Sequence, residues 1–279
     1  MSLPAGYTAG EVVRCAVERN EALDNPDYRE LTIRAPGIAR RAVPGQFVHV
    51  RLPGATDPFL RRPFSISGLE GDRLTLLFKQ VGALTTQMAG LASGGEVDVL
   101  GPLGQGYDLT PEPVDRAFLV GGGYGVAPLL VLARALHRRT LAGEITLLVG
   151  ARAARHLVWR DRLATEVGWL KSAVATDDGS AGYRGTVLDL LADRMAAGKG
   201  SVALFACGPM PMLAAIAGRW PDLPAQVAVE NQMGCGIGVC LGCVLPMAGA
   251  TGVGRYSRIC CEGPVYKAQA VDWAACPAR

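Results

Sequence analysis

The sequence predicts a multi-domain protein with one all-β part and one α/β part. An antiparallel β-barrel is expected at residues 1–110, a parallel-sheet α/β domain at 111–225 and a small cysteine-rich unit at 226–279. The chain of 279 residues is about twice the length of an ordinary domain. Short strands fill its first part, strands alternate with helices in its middle, and five of its eight cysteines fall between positions 235 and 261.

The composition supports packed cores and excludes one class of partner. Hydrophobic residues make up 49% of the chain and charged residues 19%, which is enough apolar surface for folded domains. A net charge of +3 leaves no excess of cations to neutralise a long run of phosphates. Nucleic acid is therefore not expected as a partner.

Two uncharged stretches, 117–133 and 231–254, have lengths that invite comparison with membrane spans. Glycines and a proline interrupt both stretches, and the second also holds three cysteines, so neither is expected to lie in a membrane. Residues 1–10 lack a basic region followed by an apolar core, which is the pattern of a secretory signal. The expected location is the cytoplasm.

Short strands separated by turns indicate the predicted β-barrel. The run 47–52 alternates polar and apolar residues and places Val48, Val50 and Leu52 on one face. No long helix is predicted among these strands, which favours antiparallel pairing into a small closed barrel or sandwich. The predicted strands are 12–17, 28–34, 47–52, 74–78 and 96–100.

After Pro111 the strands alternate with helices. These strands are continuous apolar runs, which indicates burial on both faces and therefore a parallel sheet covered by helices. The order is that of a nucleotide-binding domain, and the segment 109–113, with its two prolines, marks the boundary. The predicted strands are 117–120, 145–149, 173–176, 202–206 and 227–229, with helices at 128–138 and 186–195.

The clustered cysteines indicate the predicted C-terminal unit. Cys235, Cys240 and Cys243 have the spacing C-x4-C-x2-C, and either Cys260 or Cys261 follows at a distance. Clustered thiols in a reducing compartment usually bind metal, and this spacing is that of plant-type [2Fe-2S] sites. Glycines alternate with the thiols and leave backbone amides free to donate hydrogen bonds to sulfur.

The alternative is a four-cysteine zinc site in a binding module without redox activity. Zinc sites usually show two short paired spacings, whereas this chain has one x4 gap and a lone distant thiol. The cluster is therefore the preferred interpretation. Cys15 and Cys276 are expected to be an ordinary buried thiol and a tail thiol.

A glycine-rich turn lies between the first strand of the α/β domain and the helix after it. Such a turn offers backbone amides and a helix N-terminus, which can hold a pyrophosphate. It departs from G-x-G-x-x-G, so a simple tight turn is the alternative. Asp177 and the run 207–210 follow other strands of the same sheet, and this context favours a dinucleotide. The glycines of the turn are Gly121, Gly122, Gly123 and Gly125.

In the barrel, Arg61 and Arg62 precede Phe64 and Ser65 at the start of a strand. Arginine binds phosphate in a bidentate manner, and hydroxyl or backbone groups can bond the polar edge of an isoalloxazine ring. A flavin nucleotide is therefore a candidate ligand. A solvated arginine pair before a turn is the alternative.

Taken in order, these motifs resemble the ferredoxin-reductase superfamily, and within it the electron-transfer subunits of class 1B dihydroorotate dehydrogenases. The C-terminal cysteine segment is the specific element, because the flavin and nicotinamide motifs occur throughout the superfamily. The resemblance covers nearly the whole chain. The matching segments are 62–65, 101–106, 121–128, 176–180, 207–210, 230–243 and 260–266.

The resemblance implies three cofactors and a set of residues for each. The residues implied for FAD are Arg62, Pro63, Phe64, Ser65, Leu77, Phe78 and Lys79, with Leu84 and Thr85 at its phosphate, where the family usually has Gly-Thr. Those implied for NAD(H) are Gly121, Gly122, Gly123, Gly125, Asp177, Gly208 and Met210. Cys207 and Glu230 are expected to line the stack of nicotinamide and flavin, because both lie at the ends of predicted strands. The implied [2Fe-2S] ligands are Cys235, Cys240, Cys243 and Cys260, because the family's last ligand directly precedes x-[Asp/Glu]-Gly-Pro.

The resemblance also implies a partner. A separate FMN-containing catalytic subunit would oxidise dihydroorotate to orotate in pyrimidine biosynthesis, in a heterotetramer with two subunits of each kind. Electrons would pass from FMN through [2Fe-2S] and FAD to NAD+, because a nicotinamide takes electron pairs, a cluster passes single electrons and a flavin does both. An alternative keeps the cofactors and changes the partner to a sulfide dehydrogenase or hydrogenase complex, since fold does not fix function.

Overall fold

The first part of the chain forms the predicted antiparallel barrel, in a computed structural model that describes residues 10–109, 112–159 and 168–276. The barrel closes in the order β1-β2-β5-β4-β3-β6. Residues 1–9, and with them most of the stretch considered as a signal, lie outside the described residues, as do Thr110 and Pro111 at the predicted boundary. The strands are β1 (Glu11–Ala22), β2 (Tyr28–Arg34), β3 (Phe47–Arg51), β4 (Arg62–Glu70), β5 (Arg73–Lys79) and β6 (Glu96–Leu103).

Two short helices, α1 (Pro36–Arg41) and α2 (Ala83–Ala89), lie in the connections of the barrel. Proline near the start of α1 suits a first helical turn, where its missing N–H costs no hydrogen bond. At the start of α2 the Thr85 hydroxyl accepts a hydrogen bond from the N–H of Gly82 at 3.0 Å. This bond satisfies one of the amides at that end of the helix.

Strand β3 separates the barrel core from a second apolar layer. Val48 and Val50 point into the barrel and belong to its core. Phe47 and His49 point outward, as the alternation of a strand requires, yet both are buried. The C-terminal part of the chain covers this outward face, because Phe47 packs in one apolar cluster with Cys243.

The middle of the chain forms the predicted parallel sheet. The sheet order is β10-β9-β8-β7-β11-β12, followed by β15 (Val265–Lys267), with parallel pairing from β10 through to β12. The first and fourth of the main strands, β7 and β11, are neighbours, so their carboxyl ends form the edge where open α/β sheets bind ligands. The strands are β7 (Val114–Gly122), β8 (Ala142–Ala151), β9 (Leu170–Thr176), β10 (Tyr183–Arg184), β11 (Val202–Cys207) and β12 (Ala225–Ala228).

Three helices of this domain are described: α3 (Ala127–Arg138), α4 (Val187–Ala196) and α5 (Met210–Arg219). Helix α3 begins with Ala127 and Pro128 directly after the glycine turn. It is the longest helix in the described part of the chain. None of the helices described there has the length and apolar character of a membrane span.

The last strand of the C-terminal unit ties it to the large sheet. Strands β13 (Val244–Pro246) and β14 (Tyr256–Arg258) pair with each other, and α6 (Ile259–Glu262) follows. Strand β15 (Val265–Lys267) then pairs antiparallel with β12 and becomes the last strand of the large sheet. The division of the chain at residue 225 stays a prediction, and strand β12 begins at this position.

Candidate functional site

The first of two thiol pairs is formed by Cys235 and Cys240, in the segment 234–243 that we call the cluster loop. The Cys235 sulfur accepts hydrogen bonds from the backbone N–H of Ile237, Val239 and Cys240 at 3.3 to 3.5 Å. Burial raises the pKa of Cys235, but these bonds outweigh it and lower this pKa to about 7. Positive φ angles at the glycines of positions 236 and 238 let the chain curl around the sulfur.

The second pair is formed by Cys243 and Cys260, which α6 brings to the base of the cluster loop. A hydrogen bond from the Cys260 thiol lowers the pKa of Cys243 to about 6 and raises the pKa of Cys260. Cys243 is therefore the thiol of the pair that becomes a thiolate first. The Cys260 sulfur also accepts a hydrogen bond from the N–H of Gly238 at 3.1 Å. Cys261 lies 3.7 Å from Cys260, between sulfur atoms, and is buried.

The thiols therefore meet as two pairs. Among the described residues, which include every cysteine of this unit, no group of three or more His, Cys, Asp or Glu side chains is arranged to hold a single metal ion. A zinc site needs its ligands around one ion, whereas a [2Fe-2S] cluster has two irons with two protein ligands each. Two pairs of thiols are the donor set that such a cluster requires.

A buried cation lies beside the second pair, although the cluster loop itself holds no charged residue. The Arg258 guanidinium is 7% exposed, donates a hydrogen bond to Glu262 at 2.8 Å and reaches the Gly238 carbonyl at 3.5 Å. A cation in this position favours thiolates and a negatively charged cluster. Sequence reasoning missed Arg258, because only the fold brings it under the loop.

His49 is a second residue that sequence reasoning missed. Its ring is fully buried, and neither nitrogen has a hydrogen-bond partner in the described part of the chain. Burial, with help from the charges of Arg61 and Arg62, lowers the pKa of His49 to about 4, so the ring is neutral at neutral pH. The sequence shows an ordinary polar position in an alternating strand and gives no signal that its outward face is covered.

The residues implied for FAD lie together at one end of the barrel. Strands β4 and β5 are antiparallel neighbours, so the start of β4 meets the end of β5. The ring of Phe64 packs edge-on against Phe78 at 6.3 Å between centroids, inside the barrel core. Leu84 is also a core residue, so its backbone is the part available to a phosphate. Leu77 is buried, while Pro63, Ser65 and Lys79 are half-buried.

The two arginines before β4 differ in their partners. Arg61 donates two hydrogen bonds to Asp98, at 2.5 and 3.1 Å, and Arg51 binds the same carboxylate. Arg62 is exposed and donates hydrogen bonds to the carbonyl oxygens of Leu60 and Arg61 at 2.9 and 3.3 Å. Arg62 therefore keeps its charge available for an anion, and this end of the barrel fits an FAD phosphate.

We expect replacement of Arg62 by alanine to weaken FAD binding about ten- to hundredfold, because a charge-assisted hydrogen bond contributes about 1.5–3 kcal/mol. Fluorescence titration of the flavin-free protein with FAD measures this. The matched control is Arg61→Ala, which breaks the contact with Asp98 and should lower thermal stability more than FAD affinity. Equal FAD affinity in Arg62→Ala and the natural chain would contradict the assignment.

The residues implied for NAD(H) gather at the carboxyl edge of the sheet. Gly121 of β7 lies directly opposite Cys207 of β11. A Cβ on Gly125 would lie 2.3 Å from the carbonyl oxygen of Cys207, and a Cβ on Gly122 would lie 2.7 Å from Pro209. The glycine turn therefore packs so closely on the end of β11 that these two positions have no room for a side chain. Asp177 follows β9, which lies two strands from β7 in the sheet, at the same edge. Met210 is the first residue of α5. A Cβ on Gly208 would lie 3.0 Å from the backbone of Gly122.

Cys207, Glu230 and Tyr124 form a hydrogen-bonded group at this edge. The Cys207 thiol lies 3.9 Å from Oε1 of Glu230, and the Tyr124 hydroxyl also bonds that carboxyl group. Glu230 is partly exposed, but the atoms packed around its carboxyl group desolvate that group and raise its pKa to about 7. Tyr124 was not singled out from the sequence, since a tyrosine inside a glycine turn has no recognised pattern.

Titration of Glu230 should control hydride donation by NADH. Its carboxyl group is neutral below a pH of about 7 and ionised above it, and the ionised form favours the positive charge that develops on the nicotinamide. We expect the rate of flavin reduction by NADH to rise several-fold from pH 6 to 8. In Glu230→Gln this rise should vanish, and the rate at pH 8 should fall about tenfold, which corresponds to 1.36 kcal/mol.

Stopped-flow absorbance of the flavin measures these rates. The matched control is Glu144→Gln, in the first half of β8 and away from the carboxyl edge, which should keep the natural pH profile. Replacement of Cys207 by alanine should also slow the step. If Glu230→Gln and Cys207→Ala both react at the natural rate, neither residue belongs to the mechanism.

Two family models match the chain. Residues 230–272 match the iron-sulfur cluster binding domain of dihydroorotate dehydrogenase B, and residues 119–218 match the oxidoreductase NAD-binding domain. The first match contains both thiol pairs and Glu230. The second contains the glycine turn and Cys207.

Curated relatives match over most of their length. The electron transfer subunit of dihydroorotate dehydrogenase B (NAD(+)) from Geobacillus kaustophilus is 38% identical over 242 residues, which is 86% of this chain and 90% of the relative. The subunit of the same name from Enterococcus faecalis is 35% identical over 250 residues, covering 88% and 93% of the two chains.

Solved structures share the fold. The NADH-dependent reduced ferredoxin-NADP oxidoreductase, described for flavin-based electron bifurcation, superimposes with a TM-score of 0.78 and 27% identity, and covers 97% of this chain and 92% of its own. A ferredoxin NADP+ reductase from Neisseria gonorrhoeae with bound FAD and NADP gives a TM-score of 0.64 at 18% identity, covering 76% and 91%. The second likeness concerns the fold alone.

Proposed function

The chain belongs to the family of dihydroorotate dehydrogenase B electron transfer subunits, and from this premise we propose that it carries electrons from a partner dehydrogenase through [2Fe-2S] and FAD to NAD+. It is an oxidoreductase subunit of the ferredoxin-reductase type. One observation carries the proposal: Cys243 and Cys260 share an apolar cluster with Phe47 of β3, the neighbour of the strand that starts with Arg62, while the glycine turn and Cys207 occupy the edge of the adjoining sheet.

The residues of the chain bind and orient the groups that exchange electrons. Bound FAD accepts or donates electrons in pairs with a nicotinamide and singly with an iron-sulfur cluster. Arg62 would supply a cation for the FAD phosphates, and the amides of the glycine turn would bind the dinucleotide pyrophosphate. Glu230, when ionised, favours the oxidised, positively charged nicotinamide. The two cysteine pairs would hold the cluster, and the N–H groups of the cluster loop already donate hydrogen bonds to the sulfurs of Cys235 and Cys260.

The cluster loop offers a surface for the partner. Ile237, Val239 and Leu241 alternate with the ligands and are 41%, 72% and 48% exposed, which is unusual for such large apolar side chains. Single electrons pass efficiently only over short distances, so the partner must come close to the thiols. We propose that the partner is an FMN-containing subunit that oxidises dihydroorotate, that it covers these three side chains, and that the assembly contains two copies of each subunit.

Reconstitution tests the proposed function. The chain is loaded anaerobically with iron, sulfide and FAD and mixed with the FMN-containing dihydroorotate dehydrogenase from the same organism. The expected result is NADH formation from NAD+ when dihydroorotate is added, measured at 340 nm, together with orotate. Flavin and cluster reduction by NADH without any transfer from dihydroorotate would instead support a different partner, such as a sulfide dehydrogenase or a hydrogenase.

Replacement of Val239 by arginine should prevent assembly. A buried charge without a partner is strongly unfavourable at an apolar interface, so we expect at least about a hundredfold weaker binding of the partner. Reduction of bound FAD by NADH should stay at the natural rate, because the exposed Val239 side chain is not among the residues implied for FAD or NAD(H). Analytical ultracentrifugation measures binding, with Ala196→Arg at the exposed end of α4 as the control. Normal assembly of Val239→Arg would place the partner elsewhere.

A further inference from the structure

The nitrogen edge of His49 faces the cluster loop from inside the protein. A Cβ built on Gly236, the residue after Cys235, would lie 2.9 Å from both Nδ1 and Cε1 of His49 and 3.1 Å from Nε2. These three atoms form one edge of the imidazole ring, so its polar side points at the backbone of the loop. Because Gly236 has no side chain, the ring approaches the loop as closely as the backbone permits.

Nothing in the described part of the chain satisfies the His49 nitrogens. The ring is 0% exposed, so bulk water does not reach it, and neither nitrogen has a hydrogen-bond partner. The neighbouring ring, Phe47 at 5.7 Å, is apolar, and the residue opposite on β4 is Pro63. Arg61 and Arg62 only donate hydrogen bonds and cannot accept the imidazole N–H. A neutral imidazole keeps one N–H, and buried donors in folded proteins are almost always paired.

An acceptor with the right chemistry is the sulfur of the anionic centre that the cluster loop holds. We propose that His49 donates a hydrogen bond to a sulfur of this [2Fe-2S] centre and thereby raises its reduction potential. The inference rests on the proposed function, because it requires the cluster. Hydrogen bonds to the sulfurs are one of the properties that set cluster potentials, and a donor stabilises the more negative, reduced state more than the oxidised state.

His49 acts as a positioning residue and not as a ligand, since the two cysteine pairs supply four thiolates. It also joins the two cofactor sites. In the register of β3 and β4, His49 lies opposite Pro63 and Phe47 lies opposite Ser65, so His49 shares a face with residues implied for FAD. A hydrogen bond from this face to the cluster would stiffen the contact between the barrel and the cluster loop.

Isotope labelling tests the hydrogen bond in the natural sequence. The chain contains three histidines, and the other two lie elsewhere: His137 stacks on Trp169 at 4.5 Å and His156 is in a turn of the α/β domain. In protein labelled with 15N-histidine, pulsed EPR of the reduced cluster should show a coupling to one histidine nitrogen. The coupling should persist in His137→Ala and disappear in His49→Leu. A cluster signal without histidine coupling in the natural sequence overturns the inference.

Redox titration gives a second readout. In His49→Leu the one-electron equilibrium of the cluster with a reference couple should shift at least about tenfold toward the oxidised state, which corresponds to 59 mV. His49→Gln keeps an N–H donor and should recover most of the potential. Iron, sulfide and FAD contents show whether each variant is loaded. An unchanged potential in loaded His49→Leu overturns the inference, whereas absence of any cluster signal in the natural protein overturns the proposed function itself.

Discussion

Replacement of Cys260 by serine is expected to remove the [2Fe-2S] cluster, whereas replacement of Cys261 is expected to leave it in place. Cys260 shares a hydrogen bond with Cys243 and accepts the N–H of Gly238 at 3.1 Å, so it faces the other thiols. Loss of a residue that only supports a ligand already costs about 10- to 100-fold in metal affinity, and loss of a ligand costs more. The iron content of Cys260→Ser should fall at least about tenfold after anaerobic loading.

Cys261→Ser is a matched control for this prediction, because the two residues are adjacent, equally buried and of the same type. It should keep the visible absorbance and EPR signal of the cluster. FAD content should be natural in both variants, since the barrel is untouched. A full cluster in Cys260→Ser together with loss of iron in Cys261→Ser would reverse the ligand assignment.

The second large effect is expected from alanine at Gly125. Its new Cβ would lie 2.3 Å from the carbonyl oxygen and 2.6 Å from the carbonyl carbon of Cys207, so two backbones would have to separate. Overpacking of this kind costs about 1–3 kcal/mol and displaces the turn from the end of β11. We expect at least about tenfold weaker NADH binding, because 1.4 kcal/mol corresponds to a factor of ten. NADH titration of flavin charge-transfer absorbance measures the affinity.

The control variant Gly123→Ala distinguishes the steric collision at Gly125 from the effect of replacing any glycine of the turn. Gly123 has a φ of +57°, but a Cβ at this position meets nothing within 4 Å, so only the cost of the left-handed conformation applies, about 1 kcal/mol. NADH binding should therefore be weakened less in Gly123→Ala than in Gly125→Ala. Equal affinities in the two variants would show that packing on Cys207 does not position the turn.

Much of this architecture could be predicted because its signals are local. Strand β2 was expected at 28–34 and is found there, and the predicted helix 128–138 differs from α3 by one residue. The spacing of Cys235, Cys240 and Cys243 predicted the type of cluster, because three of the four expected ligands lie close together in the sequence. Periodicity, turn residues and ligand spacing are all properties of neighbours along the chain.

The rest depends on contacts between distant parts of the chain. His49 and Arg258 acquire their surroundings only when the C-terminal unit covers the barrel. Asp98, 37 positions from Arg61, decides which arginine of the pair remains available to a phosphate. Phe64 is implied as an FAD contact by the resemblance, and its ring lies against Phe78 inside the barrel. A contact between the Phe64 backbone and FAD stays a prediction, as do the roles of the other cofactor-binding residues.

Strand β15 has a consequence for how this chain can be divided. It covers the outer side of β12 with antiparallel hydrogen bonds, from Gln226 opposite Lys267 to Ala228 opposite Val265. A fragment that ends before the cysteines would leave a bare, apolar strand at the border of the sheet, the kind of surface that recruits other chains into aggregates. The C-terminal unit that carries the cysteines therefore also protects the edge of the large sheet from self-association. Removal of this unit would remove both the cluster ligands and that protection.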